Sequence, residues 1–413
     1  MIALALLTAA ATAQGVQPGV IVVSPQGPVR SITAALAGAR PHGRILVRAG
    51  TYREPTLLVD RPVELVGEPG AVIDGEGQRQ LMIVTADDVT IRGLGFRRVG
   101  SSFQADRSAI RITGARDCRI EDNTIDQGFF GIHLTNVHQC RLLGNRLRAG
   151  QDGESVSGNG IHLWSSDSIL IADNRISGFR DGIYFEFVHQ SEVRNNLSEK
   201  NLRYGLHFMY SDGCRYRENT FRANGSGIAV MFTRDVEMTA NRFEDNWGGA
   251  AYGLLLKEIT DSRLVGNRFR GNTVGLLVEG GTRLEARNNE FSGNGWGIRL
   301  SSSTQDARFL ANTFAGNTFD VATNSAHATA EFAGNFWDGY RGYDLDRDGR
   351  GDVPYHPVRL FSLLVEHNEP SLLMLRSVFV HLLDLAERAI PSLTPDAMAD
   401  ASPAMKRVPE APQ

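Results

Sequence analysis

Three imidazoles and two thioethers recur at matched positions along this chain, and their types suit a soft metal ion. Each follows a position, usually glycine, that returns about every 22 residues. Two residues after it stand Arg111, His133, His162, Tyr184, His207, Ala229, Leu255, Leu277 and Arg299. Four residues after it stand Thr135, Trp164, Glu186, Met209, Met231, Lys257, Glu279 and Ser301. Imidazole nitrogen with thioether sulfur suits copper, Cu(I) above all. The candidate copper ligands are therefore His133, His162, His207, Met209, Met231 and Glu186. A packing explanation competes, because the outer faces of stacked sheets collect aromatic and polar columns without any ligand.

A second constellation is the acidic run from Asp344 to Asp352. Asp344, Asp346, Asp348 and Asp352 alternate with other residues, Gly349 permits a sharp turn, and Arg350 offers its carbonyl. This is the order of oxygen ligands in the first nine positions of a calcium loop. Tyr355 stands where such loops place a bidentate glutamate, so the expectation is modest affinity and a structural role.

A third is the leucine-rich stretch after Pro370. Leu372, Leu373, Met374, Leu375, Phe379, Leu382 and Leu383 recur with helical spacing and cover more than a single stripe. Pro370 fits a first helical turn, and Arg388 near the end suits the dipole. The breadth of the apolar surface implies burial on two sides, or a docking partner together with packing against the rest of the chain.

The glycine marker falls at residues 131, 160, 182, 205, 227, 253, 275 and 297. An asparagine marker, followed after a one-residue gap by an apolar residue, falls at 123, 145, 174, 196, 219, 241, 267, 289, 312 and 335. Both ladders lengthen in the same two units, so the extra residues are insertions and the register beyond them is restored. Each unit holds short alternating runs such as Ile161-His162-Leu163-Trp164, which read as strands. A unit this small cannot bury its apolar face alone and must stack on copies of itself, about 4.8 Å apart. The fold class is all-β: a right-handed parallel β-helix, a pectin-lyase-like solenoid, with a C-terminal α-helix. The solenoid is expected over residues 16–365, with Ile32 to Tyr52 as a starting cap, a docking helix over 366–390 and a disordered tail over 391–413. Asparagines are placed at turns, where stacked amides bond from coil to coil. Cys118, Cys140 and Cys214 lie five residues before ladder asparagines, in a column shared with Ile169 and Val236, and are expected as buried free thiols, with a Cys118–Cys140 bridge between adjacent coils as the alternative.

Residues 1–13, MIALALLTAAATA, form a short apolar run ending in small residues, the pattern of a cleaved signal peptide. No basic residue precedes that run. No other stretch is apolar for long enough to span a membrane. A formal net charge of −4 leaves no general basic surface, which excludes nucleic acid as a partner class.

Parallel β-helices often act on polysaccharides, so a lyase, hydrolase or epimerase is one expectation. The outward columns carry only isolated Glu186 and Glu279, however, without an acidic pair. Three blocks fit another reading: Leu202 to Arg234 (LRYGLHFMYSDGCRYRENTFRANGSGIAVMFTR), Asn335 to Tyr355 (NFWDGYRGYDLDRDGRGDVPY) and Glu369 to Pro395 (EPSLLMLRSVFVHLLDLAERAIPSLTP). Together they resemble the NosD family, periplasmic maturation proteins of nitrous oxide reductase. The resemblance implies a periplasmic, non-enzymatic subunit that works with the permease and ATPase of an ABC transporter. It also implies contact with a copper chaperone lipoprotein and the apo form of nitrous oxide reductase, and approach to the membrane only through the transporter. On that view the apolar helix docks on the permease and the His/Met face handles copper.

Overall fold

The computed structural model describes residues 19–102, 104–150, 157–325, 330–375, 377–389 and 398–407. The expected signal peptide lies outside the described residues. Strands stack in register with parallel neighbours throughout, forming one 24-stranded and one 13-stranded sheet, a parallel β-solenoid. A typical coil contributes three runs, such as Asp181–Glu186, Glu192–Arg194 and Leu197–Glu199. The third run joins the smaller sheet. The first two share the larger one, because Tyr252–Val265 and Val274–Arg287 pass from the first face to the second without a break.

Two residue types fix this geometry. At the ladder glycines neighbouring coils approach so closely that an added Cβ at Gly182 or Gly275 would lie 2.6 Å from the carbonyl oxygen of the next ladder glycine. The ladder asparagines are buried and bond from coil to coil: Asn196 Oδ1 accepts from the backbone N–H (2.9 Å) and Nδ2 (3.0 Å) of Asn174. Two residues after each ladder asparagine a side chain points inward, apolar in every coil but that of Asn196, where it is the buried Ser198. Phe221, Phe243, Phe269, Phe291, Phe314 and Trp337 thereby form a continuous buried stack, with ring centroids 4.2 to 5.8 Å apart. The three cysteines are buried and free, and Cys140 Sγ accepts from the Cys118 backbone N–H at 3.0 Å, as Ser191 Oγ does from Ile169.

A second asparagine ladder, not anticipated, runs through Asn201, Asn224, Asn246, Asn272, Asn294 and Asn317. Both ladders end on a carboxylate. Asn317 Nδ2 donates to Asp320, and Asn335 Nδ2 and backbone N–H donate to Asp400 Oδ2. An acceptor-only group suits that position, since no further coil lies beyond it to receive a bond.

At the N-terminal end, helix α1 (Ile32–Gly38) buries Ile32, Ala35 and Leu36, and the Glu54 carboxylate accepts from the Ile32 and Thr33 N–H groups. At the other end two expectations are corrected. The single helix over 366–390 is instead α2 (Leu360–His367), a 3₁₀ turn (Glu369–Met374) and α3 (Val378–Ala389). Pro370, which lacks an N–H, opens the 3₁₀ turn, and Ser377 Oγ accepts from Val380 N–H in the first turn of α3. The tail expected to be disordered is ordered over residues 398–407, because Asp400 supplies the rung that Asn335, Gly334 and Trp337 Nε1 require. Met398 is buried there as well.

Candidate functional site

The pairing register runs Arg111, His133, His162, Tyr184, His207, Ala229, Leu255, Leu277, Arg299, so the column read from the sequence exists in space. Successive ring centroids from His133 to His207 are 4.5, 4.7 and 5.2 Å apart. Beside it Glu186, Met209, Met231, Lys257 and Glu279 are also in register.

The face is not open, as the sequence had implied. His133 and His207 are each only 5% exposed, and Met209 and Met231 are half-buried. Neighbouring side chains fold over the column. Phe130 stacks on His133, Tyr204 lies 4.8 Å from the His207 ring, and Asn159 Nδ2 bonds His162 Nδ1 at 2.9 Å. Burial, helped by the positive charge of Arg111, holds His133 down at about 4. Burial and the neighbouring His133 hold His162 at about 3. Burial and Arg203 hold His207 at about 4. All three are neutral imidazoles near pH 7, the form that ligates metal.

Their nitrogens differ in availability. His133 has Arg111 Nη2 at 3.2 Å and Thr135 Oγ1 at 3.4 Å, and His162 is held by Asn159. Both ring nitrogens of His207 are buried without a partner. A buried, unsatisfied imidazole costs about 1–3 kcal/mol unless something binds it. Of the six candidates, His207, Met209 and Met231 therefore stand together as one available set. Glu186 accepts from Tyr184 Oη at 3.1 Å, and Glu279 pairs with Lys257 at 3.6 Å.

Sequence reasoning missed Asp181, fully buried beside this column with Arg180 Nε 3.4 Å away. Burial raises its carboxyl above the ordinary range. Its position directly before the ladder glycine Gly182 was the available signal.

In the acidic loop the carboxylates of Asp344, Asp346 and Asp348 converge, each offering an oxygen within 4.8 Å of the others. Asp344 Oδ2 accepts from Gly349 N–H, Asp346 Oδ1 from Asp348 N–H and Asp348 Oδ1 from Arg350 N–H, and these bonds curl the loop inward. Asp344 Oδ1 is buried and unpartnered. Asp352 turns one oxygen onto Leu345 N–H at 2.6 Å, and the Arg350 side chain reaches Ser402. The donor set fits a hard, oxygen-seeking cation.

The helical segments lie on the same face as the His column, several coils further along. Phe361, Val365 and Val380 pack with Phe319, Trp296, Leu372, Leu375 and Leu383, and Arg299, itself a column residue, pairs with Glu366 at 2.9 Å. The seven predicted docking residues thus divide. Leu372, Leu375 and Leu383 face the solenoid, whereas Leu373 (93% exposed), Met374, Phe379 and Leu382 face outward, joined by Val378 and Leu385. Among the described residues no helix is long and apolar enough to cross a membrane.

Comparison with known proteins places these features. The Dettilon tailspike protein shares the fold at 12% identity and a TM-score of 0.59, over 76% of this chain and 70% of that one. The surface adhesin PfbA of Streptococcus pneumoniae does so at 11% and 0.53, over 79% and 93%. Residues 148–342 match the family model "Periplasmic copper-binding protein (NosD)". The "probable ABC transporter binding protein NosD" of Stutzerimonas stutzeri is 29% identical over 92% of this chain and 91% of its own. Its counterpart in Pseudomonas aeruginosa is 32% identical over 88% of each chain, and on that extent of agreement this chain belongs to the NosD family.

Proposed function

We propose that this protein is a periplasmic accessory factor in the maturation of nitrous oxide reductase, which takes up and passes on Cu(I) at His207, Met209 and Met231. The observation that carries the reading is the buried His207 ring, neutral and without a hydrogen-bond partner, beside a column in which Met209 and Met231 pair on adjacent coils. Thioether and imidazole favour Cu(I) over harder cations. The family's description as periplasmic copper-binding supports the compartment and the metal. A copper chaperone lipoprotein would be the donor and the apo-reductase the acceptor.

The relatives' description as ABC transporter binding proteins supports the second half of the proposal. The outward row Leu373, Phe379, Leu382 and Leu385 docks on the transporter's permease, and the transporter's ATPase supplies the energy. On this reading the chain performs no covalent chemistry of its own; its isolated outward carboxylates Glu186 and Glu279 are engaged by Tyr184 and Lys257. The experiment is deletion of the gene in its host. A reductase short of copper and inactive is expected; a fully loaded, active enzyme overturns the reading.

The acidic loop holds calcium in a structural role on this account. Asp344, Asp346 and Asp348 supply oxygens, and the loop is bonded to the tail cap through Gly351 N–H to Pro403 and Met405 N–H to Gly349. Excess Ca²⁺ is therefore expected to raise the thermal midpoint by about a degree over EDTA, on the order of 1 kcal/mol for a chain of this size. Identical melting curves in the two conditions remove calcium from the account.

A further inference from the structure

The turn between the first and second strand runs of each coil carries a column of its own. Arg116, His138, Asp167 and His189 pair as successive parallel bridges, and Gln190 N–H bonds the Asp212 carbonyl in the following coil. Imidazole and carboxylate therefore alternate over four consecutive coils, on a corner distinct from the His207 face. His138 Nδ1 is in direct contact with Asp167 Oδ1, and Ser168 Oγ donates to Asp167 Oδ2 at 3.0 Å. His189 is exposed, and its ring has no partner among the described residues. Asp212 is committed to Arg234 N–H and Thr233 Oγ1.

We propose that His138, Asp167 and His189 form a surface site for a divalent first-row cation, Zn²⁺ or Cu²⁺. Coils lie about 4.8 Å apart, so two imidazoles flank one carboxylate from either side, within side-chain reach of a shared ion. In the structure His138 and Asp167 meet while the His189 ring stands off, since among the described residues only the acidic-loop carboxylates bring three ligand atoms within 4.8 Å of one another; on this proposal the ion draws the exposed His189 ring onto Asp167. Two nitrogens and one oxygen suit a borderline divalent ion, and three protein ligands leave a fourth position open for water or an incoming ligand. No thioether is present, so the site selects against Cu(I). His138 and Asp167 side chains are 44% and 40% exposed, which gives the ion direct access from solvent.

The test is calorimetric titration of the full chain with Zn²⁺ at pH 7.5. His189→Ala is the decisive variant, because an exposed ring without partners is dispensable for folding. His138→Ala and an Asp344→Asn/Asp346→Asn double variant are the companions. Loss of a supporting group already costs a metal site about tenfold to a hundredfold, so removal of either histidine ligand should weaken binding at least about tenfold. The acidic-loop variant should bind Zn²⁺ as the parent does. Cu²⁺ added to the parent should give an electron paramagnetic resonance spectrum with coupling from two nitrogens, reduced to one in His189→Ala. Unchanged Zn²⁺ affinity in His189→Ala, loss of binding in the acidic-loop variant instead, or no binding by the parent overturns the proposal. None of these outcomes touches the His207 reading, whose own variants leave this corner intact.

Discussion

Replacing Asn196 by alanine is expected to destabilise the protein by about 4 kcal/mol, a severe effect for one side chain. Asn196 is buried at the centre of its ladder. Its Oδ1 accepts two bonds from Asn174, and its Nδ2 donates to Ile171 O, Arg194 O and Asn219 Oδ1 at 2.9 Å each. Alanine leaves Asn174 N–H and Ile171 O buried without that partner, at roughly 1–3 kcal/mol each, in a solenoid whose coils are held by nearest-neighbour contacts. Asp400→Asn at the ladder's end is the contrast. It keeps one accepting oxygen for Asn335 and Trp337 Nε1 but sets an NH2 against the part-buried N–H groups of Gly334 and Ser402, so its effect should be measurable yet smaller than that of Asn196→Ala. Urea unfolding of the two variants measures the difference. A loss below about 1 kcal/mol for Asn196→Ala contradicts the ladder's role.

Acidification gives the second large effect. His133, His162 and His207 have folded-state values near 4, 3 and 4, below the ordinary 6.5. Between 6.5 and those values the unfolded chain binds protons that the folded chain refuses. The stabilisation is therefore complete above pH 6.5 and is lost as pH falls toward 4. Each histidine contributes up to about 1.4 kcal/mol per pH unit in that window. Asp320, pushed up to about 6 chiefly by burial, acts in the opposite sense, because its penalty is relieved as pH falls through 6 toward 3.8. Asp181, also raised by burial, acts in the same sense as Asp320, and two carboxyls offset only part of three imidazoles. The urea midpoint should drop steeply between pH 6.5 and 5, and a His133→Gln/His162→Gln/His207→Gln variant should lose most of that slope. Equal midpoints at pH 7.5 and 5 would rule the buried neutral cluster out.

The periodic part of the molecule was legible because two independent markers, glycine and asparagine, lengthen together. That coincidence fixed the register, and the register alone brought His207, Met209 and Met231 into one neighbourhood. Alternation gives the direction of a side chain, but not what the long residues beside it do. Phe130, Arg111 and Tyr204 fold back over the outward column, so imidazoles placed on an open face are in fact covered. The second asparagine ladder left a signal in Asn224, Asn272 and Asn294, each three residues before a ladder glycine, but asparagine is common at turns and the recurrence passed as turn chemistry. Asp400 left none. It meets Asn335 across 65 residues of sequence, from a stretch rich in Ala, Pro and Ser that has the composition of a loop. The acidic loop was readable because its ligands are local. The break in the terminal helix was not, because Pro370 fits a helix start as well as a 3₁₀ turn, and nothing near Ser377 in sequence marks it as a cap.

The most direct measurement of the copper reading is the copper content of nitrous oxide reductase purified from the deletion strain after complementation. The parental gene is expected to restore a loaded enzyme. The His207→Ala/Met209→Ala form, accumulating to the same level, is expected to leave the reductase copper-poor. Full loading by that double variant would contradict the assignment of Cu(I) handling to this face.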